Sequence, residues 1–121
     1  MHAETINGKQ CIIVGLFSAK RKDIDSEISS MKSTLIKHGA IVVGVLIQRR
    51  GVSRSSKKGG VRQMDSPLNS ATVIGPGKVE ELSRLVTELQ ANTVVFYNDL
   101  HSTQKTRLQE IVGCNVFCIN E

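Results

Sequence analysis

The residue types and spacings in this 121-residue chain that could do chemistry are few. They are the turn Gly75-Pro76-Gly77-Lys78, a run of basic residues between Arg49 and Arg62, the neighbours Asp99 and His101, and three cysteines. Glycines on either side of Pro76 allow positive φ and close backbone approach. The N–H groups of a helix starting there, with Lys78 beside them, could then face an anion. The same glycines also serve simply to make a turn. A P-loop needs four residues between its first glycine and a Gly-Lys pair, followed by Ser or Thr to hold magnesium. Here one residue separates the glycines and Val79 follows the lysine, so the stretch is not a Walker motif. It also lacks the third glycine of a dinucleotide fingerprint. Glu80 and Glu81 would repel phosphate, which leaves a weak anion or RNA-phosphate contact through Lys78.

Asp99 and His101 follow the end of an apolar run, where an open α/β sheet places its ligands, and an acid–base pair is conceivable there. The simpler reading is that Asn98, Asp99 and Ser102 satisfy turn and helix-cap donors. Cys11, Cys114 and Cys118 are odd in number. Cys114 and Cys118, four apart, would share one face of a strand too far apart for a disulfide, and no histidine near them completes a zinc set. They read as structural thiols. No nucleophile stands beside a base and no carboxylates are paired, so neither a catalytic residue, a metal site nor a cofactor is expected.

The charge has a location. Residues 49 to 64, RRGVSRSSKKGGVRQM, hold Arg49, Arg50, Arg54, Lys57, Lys58 and Arg62 and no acid. The rest of the chain carries ten basic residues against eleven acidic ones, so the net charge of +5 belongs to this segment. Six positive charges on an acid-free stretch can neutralise phosphates and release counterions, a contribution to nucleic-acid affinity that ignores sequence and falls steeply with salt. With no aromatic residue in the segment, stacking on single-stranded bases is not indicated. The bland counterpart is a solvated linker.

These residues need a scaffold. The length fits one domain, and 40% apolar with 22% charged residues and no long uncharged run reads as soluble and globular. No secretory signal is visible, so a cytoplasmic location is expected, with no membrane partner. Residues 1–10 show no period and read as a mobile arm ahead of a domain spanning 11–121. Cys11 to Phe17 and Ala40 to Ile47 are solid apolar runs, as in strands covered on both faces. Ile24, Ile28, Met31 and Leu35 define one helix face, with Gly39 as its C-terminal cap. Residues 49–66 read as a basic flexible loop.

Ala71 to Ile74 is a short strand or an extended lead-in, followed by a helix carrying Val79, Leu82, Leu85, Val86 and Leu89. Thr93 to Tyr97 and Asn115 to Ile119 are further strands. Between them lies a helix with Leu108, Ile111 and Val112 inward, Ser102 as N-cap and Gly113 after its end. Alternating strands and helices with solid apolar strands predict a three-layer α/β fold. Its sheet is mostly parallel and four-stranded, with a short fifth strand left open, and three helices lie on its faces.

The stretch Ile74-Gly75-Pro76-Gly77-Lys78-Val79-Glu80-Glu81-Leu82 resembles the glycine–lysine signature in the N-terminal domain of HflX-type ribosome-associated GTPases. Three other stretches agree in order: Val43 to Arg50, Thr93 to Ser102, and Leu108 to Gly113. The resemblance runs from about Cys11 to Ile119. It implies an α/β domain that in the family precedes a helical segment and a GTPase domain, both missing here, so no GTP hydrolysis is assigned. It also implies a contact with the ribosome or ribosomal RNA. Arg49, Arg50, Arg54, Lys57, Lys58, Arg62 and Lys78 are the expected phosphate contacts and Gly75 and Gly77 the turn glycines. A nucleotide- or anion-binding module at Gly75 to Lys78, and a protein-interaction module that pairs with itself or with a GTPase domain in trans, are the alternatives.

Overall fold

Seven consecutive residues of the first apolar run, Cys11 to Phe17, are buried, which only a strand covered on both faces allows. A computed structural model of the chain describes residues 6–18, 22–50 and 74–119. In chain order the elements are β1 (Gln10–Ser18), α1 (Ile24–Lys37), β2 (Ile41–Arg50), α2 (Pro76–Leu89), β3 (Thr93–Phe96), α3 (Ser102–Val112) and β4 (Asn115–Cys118). All strand pairs are parallel, in the order β2-β1-β3-β4. The predicted four-stranded parallel sheet with three helices is therefore the architecture found. Of the segment read as a short strand or lead-in, only Ile74 lies among the described residues; it is fully buried and outside any strand.

Chirality distributes the layers. The chain leaves β1 in one direction to reach β2 and travels the opposite way to reach β3 and β4, so right-handed crossovers demand opposite faces. Accordingly α1 packs alone on one face, with Ile28, Met31 and Leu35 against Cys11, Ile13 and Phe17. Helices α2 and α3 share the other face, with Leu82 and Leu108 against Ile12, Val14, Leu16 and Phe96. Leu35, Leu82 and Leu108 are fully buried. Truncating any one of them to Ala would cost about 2–5 kcal/mol.

Three boundaries differ from the sequence reading. Residues 6–10, assigned to a mobile arm, are held in place. Ile6 is fully buried beside α1, the Gly8 N–H donates to the Gly39 carbonyl at 2.8 Å, and the Ile41 N–H donates to that of Lys9 at 2.8 Å. A lone apolar residue has no period to announce it. Strand β2 runs on through Gln48, Arg49 and Arg50, because Leu16, Phe17 and Ser18 of β1 supply partners in register. Ile111, expected inward, is 42% exposed, since the inward stripe of α3 is set by Leu108 and Val112 one turn apart. Gly39 (φ +91°) and Gly113 (φ +76°) do end their helices in the left-handed conformation.

Candidate nucleic-acid interface

The C-terminal edge of a parallel sheet is where this class of fold binds ligands, at the point where neighbouring strands lead off in opposite directions. In the order β2-β1-β3-β4 that point lies between β1 and β3. It is filled by the chain itself. Asn98, two residues past β3, accepts the Leu16 N–H at 2.8 Å through Oδ1 and donates through Nδ2 to the Leu16 carbonyl at 3.1 Å. The Tyr97 N–H donates to the Val14 carbonyl at 2.8 Å, and the Tyr97 ring lies 4.7 Å from that of Phe17. Asn98 thus extends the β1–β3 ladder with a side chain in place of a strand, rather than serving a turn donor as the sequence suggested.

The helix-cap donors are met differently as well. His101, not Ser102, is the N-cap of α3, and its N–H donates to Oε1 of Gln104 at 2.8 Å. The Asp99 and His101 positions therefore belong to a loop built around backbone hydrogen bonds.

The second feature of this edge is the corner at the end of β2. Gln48 aligns with Leu16, whose side chain faces the α2–α3 core. Its Oε1 accepts the Gly75 N–H at 3.0 Å. That bond docks the start of α2 onto the end of β2. Gly75 is the N-cap in an extended conformation (φ −69°, ψ 163°) and Pro76 stands at the first helical position, where its missing N–H is no loss.

Neither Gly75 nor Gly77 has positive φ, so the expected left-handed turn is absent. The helix begins within the Gly-Pro-Gly sequence instead of after it. The Gly77 and Lys78 N–H groups are left as orphan donors of the first turn, which contains no acid. Lys78, half-buried, pairs with Glu81 at 3.2 Å, which offsets part of its charge. Arg49 is exposed at the same corner and Arg50 ends the strand beside it. Arg54, Lys57, Lys58 and Arg62 lie outside the described residues.

The structure therefore brings Arg49 and Arg50 to the turn at Gly75 to Lys78, through a residue that sequence reading passed over. The signal for Gln48 was slight: an amide interrupting an apolar strand at a position whose register faces the core.

The cysteines bear out a structural role. Cys11 and Cys118 are buried, Cys114 is half-buried just before β4, and all three are free thiols. Burial pushes the Cys11 thiol up to about 11, with a smaller contribution from Cys114, and burial raises Cys114 too. Both are held away from the reactive thiolate at neutral pH. Among the described residues no group of three or more His, Cys, Asp or Glu side chains could hold a metal ion. Surface depressions are shallow and lie on single helices, one formed by Ser102, Thr103, Thr106, Arg107 and Glu110 of α3, another by Glu80, Ser83, Arg84, Thr87 and Glu88 of α2. No described helix is long and apolar enough to cross a membrane.

A parallel α/β domain with its central crevice closed and a basic corner beside a helix start belongs to the class of small docking or accessory domains. A family model described as GTP-binding GTPase N-terminal matches residues 55–118, more than half of the chain, and the chain belongs to that family. Three curated relatives, each named GTPase HflX, extend the likeness toward the N-terminus. The protein of Caldanaerobacter subterraneus subsp. tengcongensis is 29% identical over 108 residues, covering 89% of this chain and 21% of the relative. That of Flavobacterium psychrophilum is 27% identical over 118 residues, covering 96% and 25%. That of Alkalihalophilus pseudofirmus is 34% identical over 106 residues, covering 87% and 22%. The chain spans between a fifth and a quarter of the length of these relatives.

Proposed function

We propose that this chain acts as a non-catalytic docking domain that binds the ribosome or ribosomal RNA through its basic segment. Arg49, Arg50, Arg54, Lys57, Lys58, Arg62 and Lys78 meet phosphates in this reading, and the cytoplasm is where such a partner is found. The observation that carries it is the placement of six of the sixteen basic residues between positions 49 and 62, with no acid among them, flanking the corner at Gln48 and Gly75.

Sedimentation with ribosomal subunits across a salt series tests it. Six neutralised phosphates predict a loss on the order of a thousandfold in affinity between 50 and 200 mM salt. Reversing the charges of Arg54, Lys57, Lys58 and Arg62 should abolish co-sedimentation. Unchanged binding of that variant at low salt would sink the proposal.

A second reading is favoured by the orphan N–H groups of Gly77 and Lys78 in an acid-free first turn, which suit a nucleotide phosphate or another anion. Calorimetric titration with GTP and ATP decides it, and the absence of both heat and a thermal shift at saturating nucleotide rejects it. The relatives' name also favours a GTPase domain, acting in trans, as a partner. Pull-down with such a domain in its GTP- and GDP-bound forms is the corresponding assay.

A further inference from the structure

We propose that a second copy of this chain pairs along β2, joining two four-stranded sheets into one of eight strands. β2 is a ten-residue strand at the edge of the sheet, bonded on one side to β1 and without a strand partner on the other among the described residues. Natural edge strands are protected by lysines, prolines or inward charges. β2 reads IVVGVLIQRR, with no charge before Arg49. Among the described residues, three of the four large apolar side chains left exposed gather here: Ile41 (51%) and Val45 (36%) on the strand and Ile36 (56%) on α1.

The orientation of α1 shows that Ile36 belongs to this edge. Tyr97 follows β3, on the far side of β1 from β2, and its hydroxyl donates to Oε1 of Glu27 at 3.3 Å. Ile36 is nine residues from Glu27, about half a turn round the helix at roughly 100° per residue, so its flank faces the free edge of β2. Asp25 and Lys32, both exposed, share that flank at helical spacing.

A two-fold axis between antiparallel copies of β2 sets the two α1 helices antiparallel on one face. Asp25 in the acidic first turn of one copy then lies near Ile36, and one turn from Lys32, of the partner subunit. The dipoles of the two helices are opposed as well, so charge and dipole are complementary across the axis. α1 crosses β1 and β2. Its axis therefore lies about half a strand spacing inside the edge, and the two α1 axes come to about 10 Å apart, the distance of packed helices. With the register centred on Val45, Arg49 of one copy faces Ile41 of the other, and the arginines of the two copies stay at opposite ends.

Sedimentation equilibrium of the purified chain over a dilution series tests this. The native chain should be dimeric and dissociate on dilution. Val45→Lys should be monomeric at the same concentrations with an unchanged circular dichroism spectrum. Asp25→Lys should weaken the dimer and Asp25→Lys combined with Lys32→Asp should restore it, a pair that remains informative if Val45→Lys fails to fold. A native chain that stays monomeric at its highest soluble concentration would overturn the proposal, whether or not hydrogen exchange finds the β2 amides covered within one chain. So would a dimer that Val45→Lys leaves intact and Ile111→Lys, the remaining exposed apolar site, dissolves.

Discussion

The same chemical group, a side-chain amide, does opposite things at two points of one sheet edge. Between β1 and β3 Asn98 spends both donor and acceptor on Leu16 and closes the crevice. At the end of β2 Gln48 spends an acceptor on Gly75 and holds a helix start beside exposed Arg49. The difference shows how a fold built to cradle ligands centrally can shift its binding surface outward. Sealing the middle removes the usual pocket, while docking the helix laterally gathers positive charge at a corner.

Exchanging each amide for its acid should break the comparison most sharply. Asn98→Asp turns a carboxylate toward the Leu16 carbonyl and loses the donor. It should destabilise by about 3 kcal/mol, because charged groups left without partners are costlier than neutral ones, and lower the melting temperature by roughly 10 °C. Asn98→Ala, which leaves two backbone groups of Leu16 unanswered, should cost about 2 kcal/mol by the same reasoning, seen as an earlier urea midpoint. Gln48→Ala should cost about 1 kcal/mol, the net worth of a single hydrogen bond. Gln48→Glu should be neutral to slightly stabilising, since the acceptor survives and a carboxylate suits a helix start. Its negative charge beside Arg49 should nevertheless weaken RNA binding at low salt. A Gln48→Glu variant as unstable as Asn98→Asp would erase the distinction between the two sites.

Smaller effects sharpen it. Lys78→Ala removes a half-exposed pair with Glu81 and should change stability by no more than about 0.5 kcal/mol, so any larger loss of RNA affinity reports a phosphate contact at that corner. Cys11 lies at the opposite end of the sheet and serves as a control. Its folded-state value of about 11 exceeds the ordinary 9.0, so the stability it contributes is present below pH 9 and is lost as pH rises toward 11. Thermal melts from pH 8 to 11 should show that decline, and Cys11→Ala should flatten it, with RNA binding at neutral pH unaffected.

What could be read from the sequence follows from range. Ile24, Ile28, Met31 and Leu35 declare α1 because the helical period is local, and the strands declare themselves as unbroken apolar runs. The class of fold and the concentration of charge were legible for that reason. Asn98 and Gln48 were not, because what they do depends on Leu16 and Gly75, 82 and 27 residues away. Only the register of the finished sheet brings those partners within reach. The turn glycines misled in the other direction: Gly-Pro-Gly suggests a left-handed turn by composition, but proline is well suited to the first position of a helix, and the chain uses it there.

The bond between Gln48 and Gly75 also bears on how this fold can change. It joins the flanks of the stretch from 51 to 73 on the scaffold itself, so the connecting residues span a gap that is already closed. The entropy of closing a loop grows only with the logarithm of its length, and doubling such a stretch costs about 0.6 kcal/mol. At this position the polypeptide can be lengthened, shortened or replaced by foreign sequence with little penalty to folding, which makes it a natural splice point for evolution and for grafting.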